Sequence, residues 1–266
     1  MKIIYRIALV LGGIALLGWL GLRVKPAPFA AFAKPLGTLE TVPLPTGLPA
    51  PVARFYRALY GESIPVIHSA VISGRASIRP VGPITFPARF RFTHLAGRDY
   101  RHDIEATVFG LSVLKVKESY IAGSSRQEMP WGTVENDPKA NQAANLGLWA
   151  EAIRFPALFL TDSRTAWGAV DDVTATLSVP FEATRETFIV RFDPATHLVR
   201  SLEAMRFKTD HKILWMNEVR AWDTVGGQRV PTQGDVTWMD DGKPWATFNV
   251  EEIVLNADVQ QSLGGK

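Results

Sequence analysis

Phe86-Pro-Ala-Arg-Phe-Arg-Phe-Thr-His-Leu-Ala-Gly-Arg-Asp-Tyr-Arg-His-Asp-Ile-Glu-Ala-Thr-Val108 is the stretch that decides the fold. Phe86, Ala88, Phe90, Phe92 and His94 alternate with Arg89, Arg91 and Thr93, the period of a strand with one buried face. Past Ala96-Gly97-Arg98 the pattern resumes. Tyr100, His102, Ile104, Ala106 and Val108 stand opposite Arg101, Asp103 and Glu105. A three-residue loop pairs Leu95 with Asp99, Phe92 with His102 and Phe90 with Ile104, so the two apolar faces coincide. A two-residue loop would set Phe92 against Asp103.

The same period extends outward in both directions. It starts at Val66 and continues through residues 111–121, 173–179, 187–192, 198–208, 213–222, 230–239 and 245–255. Turns fall at Asp193-Pro194, Gly226-Gly227 and Asp240-Asp241-Gly242. Regular strands with short turns predict a mainly β fold: a curved antiparallel sheet or partial barrel. No strand–helix–strand rhythm occurs, so no phosphate-binding turn is expected and no cofactor is implied.

Two helices interrupt the strands. Residues 49–61 carry Val52, Phe55, Tyr56 and Leu59 on one stripe and stop at Gly61. Asp137-Pro138 opens a second helix over about 139–154, with Asp137 as cap and Pro138 in its first turn. Phe155-Pro156 ends or kinks it. Leu146, Leu148, Trp149, Ala152, Ile153 and Phe155 are apolar around most of its circumference, so the helix is expected to lie buried within the sheet.

The beginning of the chain is of another kind. Residues 7–22 are uncharged, preceded by Lys2 and Arg6 and followed by Arg23 and Lys25. Counted from Ile3, with Arg6 snorkelling, the run nears the ~20 residues that cross a bilayer. The best small-x-small site, Ala31-Phe32-Ala33, lies beyond Arg23 and Lys25, a poor context for signal cleavage. An uncleaved inner-membrane anchor is the reading adopted, with the domain on the extracytoplasmic, periplasmic side. Secretion to the periplasm after cleavage is the alternative. Residues 26–49 hold six prolines, a semi-rigid spacer. The expected organisation is anchor 1–25, linker 26–48, one β-rich domain 49–258 and a flexible tail 259–266.

Composition removes several function classes. The absence of cysteine excludes disulfides, thiolate metal sites and cysteine nucleophiles. A net charge of +3 with arginines scattered through strands argues against nucleic acid. Asp171-Asp172 and His102-Asp103 are neighbours on strands and face opposite ways, so neither is an acid–base pair. Ser124-Ser125 lacks a Gly-x-Ser-x-Gly context, and Asp240-Asp241-Gly242 is a turn. No catalytic residue is assigned.

Residues 149–160, 167–172, 190–193 and 227–231 through Trp238, with Leu48-Pro-Ala-Pro-Val-Ala-Arg-Phe-Tyr56, resemble an uncharacterised bacterial family of membrane-anchored envelope proteins. The resemblance covers most of residues 48–255 and implies no activity. More remotely, strands, a buried helix and more strands are similar to the LolA/LppX-like half-barrel carriers. That resemblance implies acyl chains held between a concave sheet and its helices. Phe90, Phe92, Tyr100, Ile104, Trp149, Ile153, Phe155, Trp215 and Trp238 are the candidate cavity-lining residues, and ordinary core is the competing reading. His94 faces Tyr100, with His102 diagonal to it. The two imidazoles are weak metal candidates that need a carboxylate to join them; polar plugs at the mouth of the sheet are the plainer reading. The function expected is binding of a hydrophobic ligand, lipid or lipoprotein acyl chain, close to the membrane. An envelope interaction module is the alternative, with a His-dependent metal enzyme behind it.

Overall fold

The computed structural model describes residues 2–35, 37–80 and 82–264. Met1 of the expected anchor, Leu36 of the linker, and Gly265 and Lys266 of the tail lie outside the described residues. Helix α1 (Lys2–Gly21) leads to a short strand β1 (Thr41–Pro43), helix α2 (Ala50–Tyr60) and strand β2 (Ser63–Pro65), which pairs with β1. A first arm follows: β3 (Ser69–Ile78), β4 (Phe86–Leu95), β5 (Asp99–Val108), β6 (Leu111–Ile121), β7 (Ser124–Met129) and β8 (Gly132–Glu135). Helix α3 (Pro138–Glu151), a 3-10 turn (Ala152–Arg154) and α4 (Leu158–Thr161) come next. The second arm is β9 (Ala166–Ala169), β10 (Thr174–Phe181), β11 (Thr184–Phe192), β12 (Val199–Phe207), β13 (Lys212–Val225), β14 (Gln228–Trp238) and β15 (Ala246–Leu255), closed by α5 (Gln260–Leu263).

Both arms are meanders. They join into one sheet of 13 strands because β3 pairs with β15, giving the order β8-β7-β6-β5-β4-β3-β15-β14-β13-β12-β11-β10-β9. Helix α3 touches β6 and β7 on one side and β10 and β12 on the other. Seven strand spacings separate β6 from β12, about 33 Å on a flat sheet, and a helix is only about 10–12 Å wide. One helix can meet both strands only if the sheet wraps around it. The fold is therefore the curved, partly closed sheet with an enclosed helix, and α3 bridges its open side.

The β4–β5 hairpin has the expected register: Leu95 pairs with Asp99, Phe92 with His102 and Phe90 with Ile104. The Asp137 carboxylate caps α3 by accepting from the Lys139 and Ala140 N–H groups, 3.0 and 2.9 Å. The helix ends at Glu151, slightly earlier than expected, and its last turn tightens into the 3-10 segment ahead of Pro156. Three buried amides that the apolar pattern did not reveal tie it to both arms. The Asn141 Oδ1 accepts from the Ser125 N–H and hydroxyl, 2.8 and 2.7 Å. The Gln142 side chain donates to the Met205 carbonyl and accepts from the Phe207 N–H, 3.0 and 3.2 Å. The Asn145 amide donates to the Pro180 carbonyl, 3.1 Å. Strands β7, β8 and β9 were also missed from sequence; they are short, and β8 is wholly exposed, with no apolar alternation to mark it.

The expected spacer and tail lie against the outer face. Arg91 donates to the Ala30 carbonyl, and Phe29 lies 4.5 Å from the Arg89 guanidinium and 5.2 Å from that of Arg91. Val71, Val254, Ala257 and Val259 form a small outer core, with Phe32 and Leu263 packed on it. The carbonyls and aromatic rings of this proline-rich stretch match the arginine row that the hairpin turns outward.

Candidate functional site

At one end of the wrapped sheet lie the turns β3–β4, β5–β6 and β7–β8 and, from the second arm, β12–β13 and β14–β15. A cavity of about 580 Å³ opens there, between the N-terminal half of α3 and the concave sheet. Ile78, Ile104, Val116, Met129, Trp131, Val134, Trp238 and Trp245 supply its apolar wall. The volume and the mostly apolar wall with a few polar groups suit a small hydrophobic ligand. The cavity exists because α3 presents Ala140 and Ala143 to it. Farther along, the same helix carries Leu146, Leu148 and Trp149, which are buried in the core.

Of the nine expected lining residues, Ile104 and Trp238 border the cavity. The other seven are buried in the packed core. Phe90 and Phe92 pack against Phe248, with ring centroids 5.0 and 5.3 Å away. Trp149 lies beside Phe159, and Phe155 packs on His94 at 5.4 Å. Trp215 lies 6.3 Å from Trp238, one step behind the wall. Ile153 is buried with this group. Their aromatic size placed them inside; it could not separate the filled end from the hollow one.

Among the polar groups that line the cavity is Arg206 on β12. Its Nε donates to the Ala143 carbonyl, 2.9 Å, and its guanidinium lies over Trp215 and Trp238, 4.3 and 5.3 Å from the ring centres. It makes no ion pair among the described residues, whereas Lys208 and Lys139 at the rim pair with Asp240, Asp241 and Asp210. Burial lowers the Arg206 pKa, and Glu118 across the cavity opposes that.

Glu118 begins a buried chain of polar contacts. The Tyr100 hydroxyl donates to Glu118, and burial pushes the phenol well above its ordinary value, aided by that carboxylate. The Tyr100 ring stacks on His102, 4.0 Å between centroids. The His102 Nε2 lies 2.7 Å from Glu151 Oε2, and the His94 Nε2 lies 2.9 Å from the same oxygen. Glu151 is the carboxylate the histidine pair needed, and it arrives from α3, about 50 residues away, where strand spacing gives no signal. Burial pushes the Glu151 carboxyl up, but the two imidazoles outweigh it and hold it far below the usual range. Burial also lowers the His94 pKa, against the pull of Glu151. Among the described residues, neither His94 ring nitrogen has a hydrogen bond of good geometry.

Two imidazoles and a carboxylate form a donor set that suits zinc. With bonds of about 2.0–2.1 Å, tetrahedral donors sit about 3.4 Å apart. The contacts of 2.7 and 2.9 Å are shorter, so an ion would require Glu151 to draw back by about half an ångström. As it stands, the cluster fastens the end of α3 to β4 and β5.

Residues 38–250 match a sequence family described as of unknown function, DUF6544. The chain belongs to that family. No curated protein matches it. Two crystal structures resemble this DUF6544 chain in fold. One is a DUF1329 family protein from Desulfovibrio piger, 12% identical, with 74% of this chain and 89% of that one covered and a TM-score of 0.43. The other is a LolA superfamily protein from Nitrosomonas europaea, 10% identical, with coverages of 83% and 99% and a TM-score of 0.49.

Proposed function

We propose that this DUF6544 protein binds a hydrophobic ligand, a lipid or acyl chain, in the cavity beneath α3 while anchored by α1 in the inner membrane, with its domain on the periplasmic side. The observation that carries the reading is the cavity itself: about 580 Å³ with an apolar wall, left open by alanines on a helix whose next turns fill the same sheet. Helix α1 supports the anchor. Ile4–Gly21 has a mean hydropathy of 1.8 and is almost wholly exposed, long and apolar enough to cross a bilayer. Arg206, without an ion pair among the described residues and backed by two indoles, suits a carboxylate or phosphate on such a ligand.

The test is native mass spectrometry of the full chain released from detergent, followed by extraction of whatever co-purifies. The expected result is a stoichiometric lipid or fatty acid, lost in Ala143→Trp, which fills the cavity from the helix side. An apo mass that also takes up no added fatty acid or phospholipid would overturn the reading and leave an envelope interaction module. A second reading rests on Glu151 joining His94 and His102. Elemental analysis after exposure to zinc tests it: one zinc per chain, abolished by His94→Ala, supports a metal centre, and an unchanged metal-free protein excludes zinc there.

A further inference from the structure

The cavity mouth, the apolar helix and a group of strongly exposed large apolar side chains of the first arm meet at the same end of the sheet. The α1 helix ends against the β5–β6 turn, where the Phe109 N–H donates to the Gly21 carbonyl, 2.8 Å. Along Ile4–Gly21 the described side chains of the helix are almost all exposed. Around this point stand Leu111 at 72% exposure, Trp131 at 61%, Ile84 at 52% and Phe109 at 50%. They come from three separate turns of the first arm, and Trp131 also lines the cavity.

Phe109 is the sharpest of these. Val108 pairs directly with Leu111, so Phe109-Gly110 is a two-residue hairpin turn with φ values of 53° and 76°. Such turns favour Asn, Asp or Gly, because a side chain at positive φ is strained. Two comparable turns of this sheet use Ala122-Gly123 and Gly226-Gly227. A phenylalanine in this place satisfies neither the turn nor the core. Strain of this kind persists where a function requires it.

We infer that the mouth end of the domain is a membrane-contact surface, with Phe109, Leu111, Ile84 and Trp131 seated in the interfacial layer of the bilayer that holds α1. The occupant follows from continuity: the surface begins where a helix fit to cross a bilayer ends, and Arg23 and Lys25 at that junction suit anionic headgroups. Tryptophan at such a rim has its apolar ring in the acyl boundary and its N–H in water. The cavity then opens onto lipid, and a ligand passes between bilayer and protein without crossing water. This rests on the anchor reading of α1 but does not require that the cavity be filled.

The experiment uses the full chain reconstituted in vesicles of phosphatidylethanolamine and phosphatidylglycerol, with a phosphatidylcholine brominated in the upper acyl chain as quencher. The fluorescence difference between the chain and its Trp131→Phe variant isolates the rim from Trp19 and the core indoles. The expected result is a Trp131 component quenched by the bromolipid and shielded from aqueous iodide, with the order reversed in Phe109→Asp/Leu111→Asp. A Trp131 component that iodide quenches and bromolipid does not, in chains that float with the vesicles, overturns the contact surface while leaving the anchor intact. Chains that do not float overturn the anchor and this inference together. Crosslinking of the rim into chain dimers in the vesicles, with Trp131 dark to bromolipid, assigns the surface to a second copy. Circular dichroism in each variant confirms that the fold is retained.

Discussion

The two ends of the wrapped sheet are lined by the same helix and differ in what that helix carries. Toward the closed end, Leu146, Leu148, Trp149 and the following Phe155 fill the interior, and Glu151 fastens the helix to His94 and His102. Toward the open end, Ala140 and Ala143 leave a void, and Asn141, Gln142 and Asn145 hold the helix off the strands by bonding to the arms on either side. Side-chain volume decides where a concave sheet is core and where it is a container. The amides keep the empty half from collapsing.

The contrast can be broken most directly at the closed end. Trp149→Ala should cost about 3–5 kcal/mol, the range for truncating a large aromatic in a packed core, read from urea unfolding. A loss below ~1 kcal/mol would mean the closed end has room of its own. Glu151→Ala should cost nearly as much, about 3–5 kcal/mol, because it leaves His94 and His102 buried without their carboxylate.

The same cluster sets a pH dependence. The folded His94 takes up a proton less readily than the unfolded one, so its contribution is present above about pH 6.5 and is lost as the pH falls below that value. The depressed Glu151 adds a second loss as the pH falls below about 4.3. Melting temperatures from pH 8 to 4 should therefore decline on acidification, and His94→Gln should flatten the upper part of that decline. A decline unchanged in His94→Gln would place the sensitivity elsewhere.

At the open end the effects shrink. Asn141→Ala strands the buried Ser125 N–H and should cost about 1–3 kcal/mol, with the larger consequence a narrowed mouth and weaker ligand retention. Ala143→Trp should leave stability within about 1 kcal/mol, because it fills space that is already empty, and should reduce ligand capacity instead. Heavy destabilisation in Ala143→Trp would show that the void is not available to a side chain of that size.

The hairpin could be placed from sequence to the residue, because a one-residue slip would turn Phe90 and Phe92 outward and the arginines inward. The enclosed helix was legible for a similar reason: Leu146, Trp149 and Ile153 leave it no dry alternative. The cavity was not, because apolarity marks what is inside without saying how much space is filled, and Ala140 and Ala143 carry no signal apart from their neighbours. Glu151 could be seen as a charge on an apolar helix, but its meeting with His94 and His102 depends on how α3 crosses the sheet. The edge strands β8 and β9 escaped because an edge has little to bury.

The pairing of β3 with β15 has a consequence for how the chain comes into being. Residue 70 pairs with residue 255, so the seam between the two arms is among the most non-local contacts in the domain. Such contacts slow folding, since the intervening chain must be ordered before they form. In a chain that emerges amino end first, β3 carries a bare, apolar edge until nearly everything after it has arrived. Val71 and Ile72 on that edge are the residues left open to wrong partners until then, and the last strand to be delivered is the one that makes the domain safe from sticking to its own kind.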